Sequence, residues 1–116
     1  MLNKRYGWVG DSPLIGADTY ANHVCAVSGT GHGEFFIRHA VAHDIAALME
    51  YRGLDVATAA HHVIHDKVAP AGGRGGIIAL DRHGGVAMPH STEGLFWALA
   101  RADGRVETNG CHMVVE

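Results

Sequence analysis

Cysteine is scarce in this chain of 116 residues: Cys25 sits in an apolar run and Cys111 near the end. Two thiols are too few for a disulfide framework, and their spacing is not that of a zinc site, so a reducing compartment is expected. Long apolar runs are also missing. No stretch approaches the roughly 20 apolar residues that cross a bilayer, and the start, Met1 to Gly10, is too polar for a signal peptide. A membrane partner is therefore excluded and a cytoplasmic location expected. Positive charge is thin as well. Nine basic residues against twelve acidic ones give a formal net charge of -3, without the clustered Lys and Arg that grip phosphate backbones, which excludes nucleic acid as a partner. No repeat, linker or composition shift divides the chain, so residues 1–116 are read as one domain. What is present is globular: 47% apolar and 18% charged residues, in a length at which folding buries about two thirds of the unfolded surface.

Gly7, Gly10, Pro13 and Gly16 punctuate a loop that enters a short apolar strand, His23 to Val27. A glycine cluster follows, Gly29-Thr-Gly-His-Gly33. Residues Glu34 to about Tyr51 suit a helix whose apolar positions (among them Phe35, Phe36, Val41, Ile45 and Leu48) spread around most of its circumference, so it must be covered on more than one side. Gly53 is a natural stop and Asp55 a natural N-cap for a second helix. There Val56, Ala59, Ala60, Val63, Ile64 and Lys67 form one stripe, which predicts packing on one face. Pro70 ends the helical region and Gly72-Gly-Arg-Gly-Gly76 leads into a buried strand, Ile77 to Leu80. Asp81-Arg-His-Gly-Gly85 has hairpin-turn composition, Val86 to Met88 continues the pattern, and a third strand is expected near Leu95 to Ala100. The predicted class is α+β, two helices followed by an antiparallel meander, with the tail from Asp103 undecided.

The glycine cluster carries two readings. Backbone N–H groups and one hydroxyl immediately before a helix suit an anion or oxyanion; a tight turn between strand and helix needs glycines with no ligand at all.

Several spaced motifs, in order, carry a resemblance. Gly10-Asp-Ser-Pro-Leu14, Gly16, Tyr20-Ala-Asn22, Val27-Ser-Gly-Thr-Gly31 and Gly33-Glu34 are followed by Phe36-Ile-Arg38, Asp44 to Met49, Gly72 to Gly76 and Thr92-Glu-Gly94. Together they resemble the isoaspartyl peptidase and plant-type L-asparaginase family of N-terminal nucleophile hydrolases, in the C-terminal part of its β subunit. The resemblance implies part of a four-layer αββα sandwich and hydrolysis of the side-chain amide of L-asparagine or of β-aspartyl dipeptides. The nucleophile in that family is a threonine freed by self-cleavage, whose own amine is the base. Met1-Leu-Asn-Lys4 matches the stretch just after that threonine, so the chain is expected to be a fragment without catalytic nucleophile or α subunit, inactive alone, and either completed by that subunit or self-associating. The alternative is a non-catalytic interaction domain on the same fold; the resemblance implies no cofactor and no metal.

Residue by residue, the resemblance implies that Asp11 holds the substrate α-ammonium group. Thr30 and Gly31 would stabilise the oxyanion through a hydroxyl and an N–H, and Gly33 would lie where backbone approaches the substrate carboxylate. Trp8 replaces the arginine that clamps this carboxylate; an indole has one donor and no charge. His32 and Arg74 stand where small or polar residues are usual. Outside these motifs, His61 and His65 have the i, i+4 spacing that metals use on helices, but with His62 they lie opposite the apolar stripe, and a solvated face explains them. His39, His43 and Glu50 share a polar stripe of the first helix. Trp97, Phe96 and Leu95 are read as strand core or interface, and Asp44, among apolar positions, calls for a hydrogen-bond partner.

Overall fold

The computed structural model describes residues 6–7, 10 and 12–108. A turn over Leu14–Asp18 leads into strand β1 (Thr19–Ala21). Asn22 then reverses the chain, its Oδ1 accepting from Val24 N at 2.9 Å and Cys25 N at 3.2 Å. That side-chain-closed turn opens β2 (Cys25–Gly31). Two helices follow, α1 (Gly33–His39) and α2 (Val41–Arg52). Gly53 ends α2 in the left-handed conformation (φ 69°), its N–H donating to Leu48 O. Asp55 caps α3 (Val56–His61), accepting from Thr58 N at 2.7 Å, and the helix continues as a π-helical turn, His62–Val68. The chain returns in β3 (Gly75–Asp81), turns on Asp81, whose Oδ1 accepts from His83 N and Gly85 N, and pairs back as β4 (Val86–Ala87).

One antiparallel sheet has the order β1-β2-β3-β4, and β2 and β3 are in register along their whole length, Cys25 opposite Asp81 to Gly31 opposite Gly75. A separate ribbon joins β5 (Ala98–Ala100) to β6 (Val106–Thr108). The helices cover one face of the four-stranded sheet. Phe36, Val41, Ile45, Val63, Ile64 and Val68 are fully buried there against Val27, Ile77 and Ala79. At roughly 1.5–3 kcal/mol per large side chain, that layer is the dominant favourable term.

The class, α+β with antiparallel strands after the helices, is as the sequence predicts. The predicted single helix from Glu34 to Tyr51 is broken at Ala40, which takes the left-handed conformation (φ 46°, ψ 54°). The reason is tertiary: the first free N–H groups of α2 are taken by the preceding loop, Ala42 N donating to Ala17 O at 2.9 Å and His43 N to Gly16 O at 3.0 Å. The apolar positions scattered over the expected helix belong to two axes. The stripe of α3 behaves as predicted, with Val56, Ala59, Ala60, Val63 and Ile64 buried. Lys67 at its edge reaches Asp44 of α2, Nζ to Oδ2 at 2.7 Å, which is the partner Asp44 calls for. No helix among the described residues is long and apolar enough to cross a membrane.

Candidate functional site

Gly29, Thr30 and Gly31 lie in β2; the glycine cluster is strand to its third residue, and the helix begins only at Gly33. Thr30 faces Gly76 across the ladder and Gly31 faces Gly75. The two strands are pinched there around the ring of Phe36. A Cβ on Gly29 would stand 2.8 Å from the ring and collide with Asp18 Oδ1; one on Gly75 would stand 2.8 Å from the ring and collide with Thr30 O. Gly31 (φ 153°) has Arg74 O and Gly75 Cα on its open side, the latter 2.6 Å from where a Cβ would be. Backbone atoms leave no room for a side chain at Gly31 and Gly75, and the side chains of Asp18 and Phe36 leave none at Gly29.

Ser91 holds the other side of the pinch. Its Oγ accepts from Gly75 N at 3.1 Å while its own N–H donates to Gly75 O at 2.8 Å. Sequence reasoning missed this residue. A serine next to Thr92-Glu-Gly94 carries no periodicity, and its partner lies 16 positions away.

His32 and Arg74, singled out separately as departures, are neighbours. His32 N donates to Arg74 O at 2.9 Å, and Arg74 N donates to His32 Nδ1 at 3.3 Å. A backbone N–H can only donate, so Nδ1 is the acceptor and the neutral ring carries its proton on Nε2. The ring stands tilted beside Phe35, centroids 6.0 Å apart, and the Arg38 guanidinium lies 5.7 Å over the same phenyl.

Strand alternation sets the direction of Thr30. Cys25 and Val27 point into the helical layer, so Ala26, Ser28 and Thr30 occupy the opposite face. On β3 the same face carries Ile78 and Leu80, each 48% exposed. Ala26, Ser28, Ile78 and Leu80, with Val86 and Leu99 but without Thr30, line a mostly apolar groove of about 240 Å³. A larger cleft of about 510 Å³, lined by Leu48, Arg52, Leu54, Thr58 and His61 among others, belongs to the helical layer and includes none of Thr30, Gly31 or Gly33.

Trp8 and Asp11 lie outside the described residues, as does Cys111. The structure thus brings together Thr30, Gly31, Gly33 and the His32–Arg74 contact, and leaves the two remaining expected substrate contacts unplaced. Cys25 is buried, and burial pushes its thiol above the ordinary range, against any nucleophilic role. Among the helical histidines, His61 and His65 have ring centroids 4.3 Å apart, and His62 Nδ1 lies 3.0 Å from Asp66 Oδ2. Desolvation, then the neighbouring His61, pushes the His65 imidazole below its usual value. Phe96 is 76% exposed, so it is not core.

A four-stranded antiparallel sheet with helices on one face is an α+β arrangement consistent with part of an N-terminal-nucleophile-hydrolase sandwich. The family model described as asparaginase matches residues 1–109, and the chain belongs to that family. The isoaspartyl peptidase of Escherichia coli is 51% identical over 113 residues, 97% of this chain and 35% of the relative. A putative isoaspartyl peptidase/L-asparaginase of Dictyostelium discoideum is 45% identical over 109 residues, 94% of this chain and 31% of its own. A probable isoaspartyl peptidase/L-asparaginase 2 of Arabidopsis thaliana is 43% identical over 107 residues, 92% of this chain and 32% of its own. The chain thus spans about a third of the length of these curated relatives.

Proposed function

We propose that this chain is the substrate-binding and oxyanion portion of an amidohydrolase that cleaves the side-chain amide of L-asparagine or of β-aspartyl dipeptides. The observation that carries the reading is family membership over residues 1–109 combined with the Thr30–Gly31 strand end. In this reading Thr30 Oγ1 and Gly31 N–H stabilise the negative charge that builds on the amide oxygen in the tetrahedral transition state. The Phe36 pinch and the Ser91 clasp fix that strand end before substrate arrives, so the donors need no rearrangement during the reaction. Asp11 holds the α-ammonium group and Gly33 lies beside the α-carboxylate. The nucleophilic threonine and the α subunit are outside these 116 residues, and the second sheet they bring packs on the face of Ala26, Ser28, Ile78 and Leu80. The half-exposed apolar side chains of that face support a covering layer. The site residues take no cofactor and no metal.

The experiment combines this chain with the N-terminal two thirds of the Escherichia coli isoaspartyl peptidase and follows ammonia release from L-asparagine and cleavage of a β-aspartyl dipeptide. The combination is expected to hydrolyse one of them and the 116 residues alone to hydrolyse neither. Trp8 bears on affinity. Replacing it with arginine restores two charged hydrogen bonds, each typically worth about 1.5–3 kcal/mol, so Trp8→Arg lowers KM more than it raises kcat, because the contact exists in the ground state too. Asp11→Ala removes that gain. The second reading, a non-catalytic interaction domain, is favoured by the same Trp8. It predicts a stable complex without hydrolysis, with or without Trp8→Arg.

A further inference from the structure

We propose that His61 and His65 form a two-histidine site for a first-row divalent transition metal ion. The pair sits where α3 gives way to the π-helical turn His62–Val68. Such widened turns are rare and often mark functional positions. The apolar side of this turn, Val63, Ile64 and Val68, is fully buried, so the carrier of the pair is fixed to the core. The two rings already lie side by side, centroids 4.3 Å apart and planes inclined by 40°. With the rings this close, side-chain rotation that turns one nitrogen of each toward a common point about 2.0–2.1 Å from both lets the pair chelate one ion. His62 is engaged with Asp66 and is not available to the same ion. Among the described residues no group of three or more His, Cys, Asp or Glu side chains could hold a metal, so water or an outside ligand completes the coordination. Neutral imidazole suits zinc, nickel and copper, whereas calcium and magnesium prefer oxygen donors. This site is independent of the amidohydrolase reading and of the Thr30 strand end.

Isothermal titration of the full chain with zinc chloride and with nickel chloride tests it. One saturable site of micromolar affinity is expected, and calcium chloride should give no heat of binding. His61→Ala and His65→Gln should each weaken binding at least about tenfold, a loss of about 1.4 kcal/mol, while His62→Ala should leave affinity within about twofold. His61 is exposed, so His61→Ala should keep the parent circular dichroism spectrum; His65→Gln retains a polar side chain at the half-buried position. The proposal is overturned if no saturable binding occurs below about 1 mM. It is equally overturned if His61→Ala and His65→Gln bind as the parent does, which would place the ion on other histidines of the ten in the chain.

Discussion

Ala40 is the described non-glycine residue with positive φ. An alanine there carries a steric cost of about 1–2 kcal/mol, borne because the N–H groups of Ala42 and His43 find carbonyls only if the chain turns at this point. Glycine relieves that cost and loses part of the gain to the greater freedom of the unfolded chain. Ala40→Gly is therefore expected to stabilise by about 0.5 kcal/mol, measured as a rise in the urea midpoint at constant slope. The opposite behaviour is expected at the pinch. Gly75→Ala has nowhere to put its methyl group, since Thr30 O and Phe36 occupy the space. Overpacking should cost about 1–3 kcal/mol, and the displaced atom is the backbone of the candidate oxyanion residue. Phe36→Ala, which empties the same place from the other side, should cost about 3–5 kcal/mol by cavity formation. Chemical denaturation of both variants checks the order.

The helical layer is held by a cap and a bridge as well as by burial. Asp44 and Lys67, 23 positions apart, tie α2 to the π-helical turn through a partly buried contact. A double-mutant cycle with Asp44→Asn and Lys67→Met should give a coupling of about 1 kcal/mol, at the upper end of exposed pairs. The Asp55 cap predicts a pH effect. Hydrogen bonds from the Thr58 side chain and backbone hold the Asp55 carboxyl below its ordinary value. The folded state thus binds this proton less readily than the unfolded chain, so the contribution is complete above the unfolded value of about 3.9 and is lost as pH falls through the folded one. Asp55→Asn keeps an acceptor without the titration, and its melting temperature should fall less steeply between about pH 4.5 and pH 3. This cap and the Gly53 stop were legible because they act within three to five residues of sequence. The break at Ala40 was not, because its cause is hydrogen bonding to Gly16 and Ala17, and neither was β1, whose signal is one asparagine closing a turn. At the candidate site, Thr30, Gly31 and Gly33 could be read from motifs. The His32–Arg74 contact could not, because register between β2 and β3 creates it, and neither could Ser91, which the bridge between Gly76 and His90 sets beside Gly75.

The described residues form a two-layer body with one face of the sheet covered and the other largely open. Helices cover the first; Ile78 and Leu80 remain half-exposed on the second. Without a covering layer the chain is expected to self-associate as concentration rises, and Ile78→Ser with Leu80→Ser should shift it toward monomer in size-exclusion chromatography with light scattering. A monomer at all concentrations would mean that the open face does not drive association. The side chain of Thr30 stands on this same face, so completing the fold and completing the site are one event in this account. The most direct test is therefore kinetic, on the enzyme reconstituted with the N-terminal two thirds of the Escherichia coli relative. Thr30→Ala should lower kcat for L-asparagine or a β-aspartyl dipeptide by about 10²–10³ with KM little changed, and Thr30→Ser should recover most of the loss. A Thr30→Ala enzyme with unchanged kcat would contradict the assignment of this strand end as the oxyanion site.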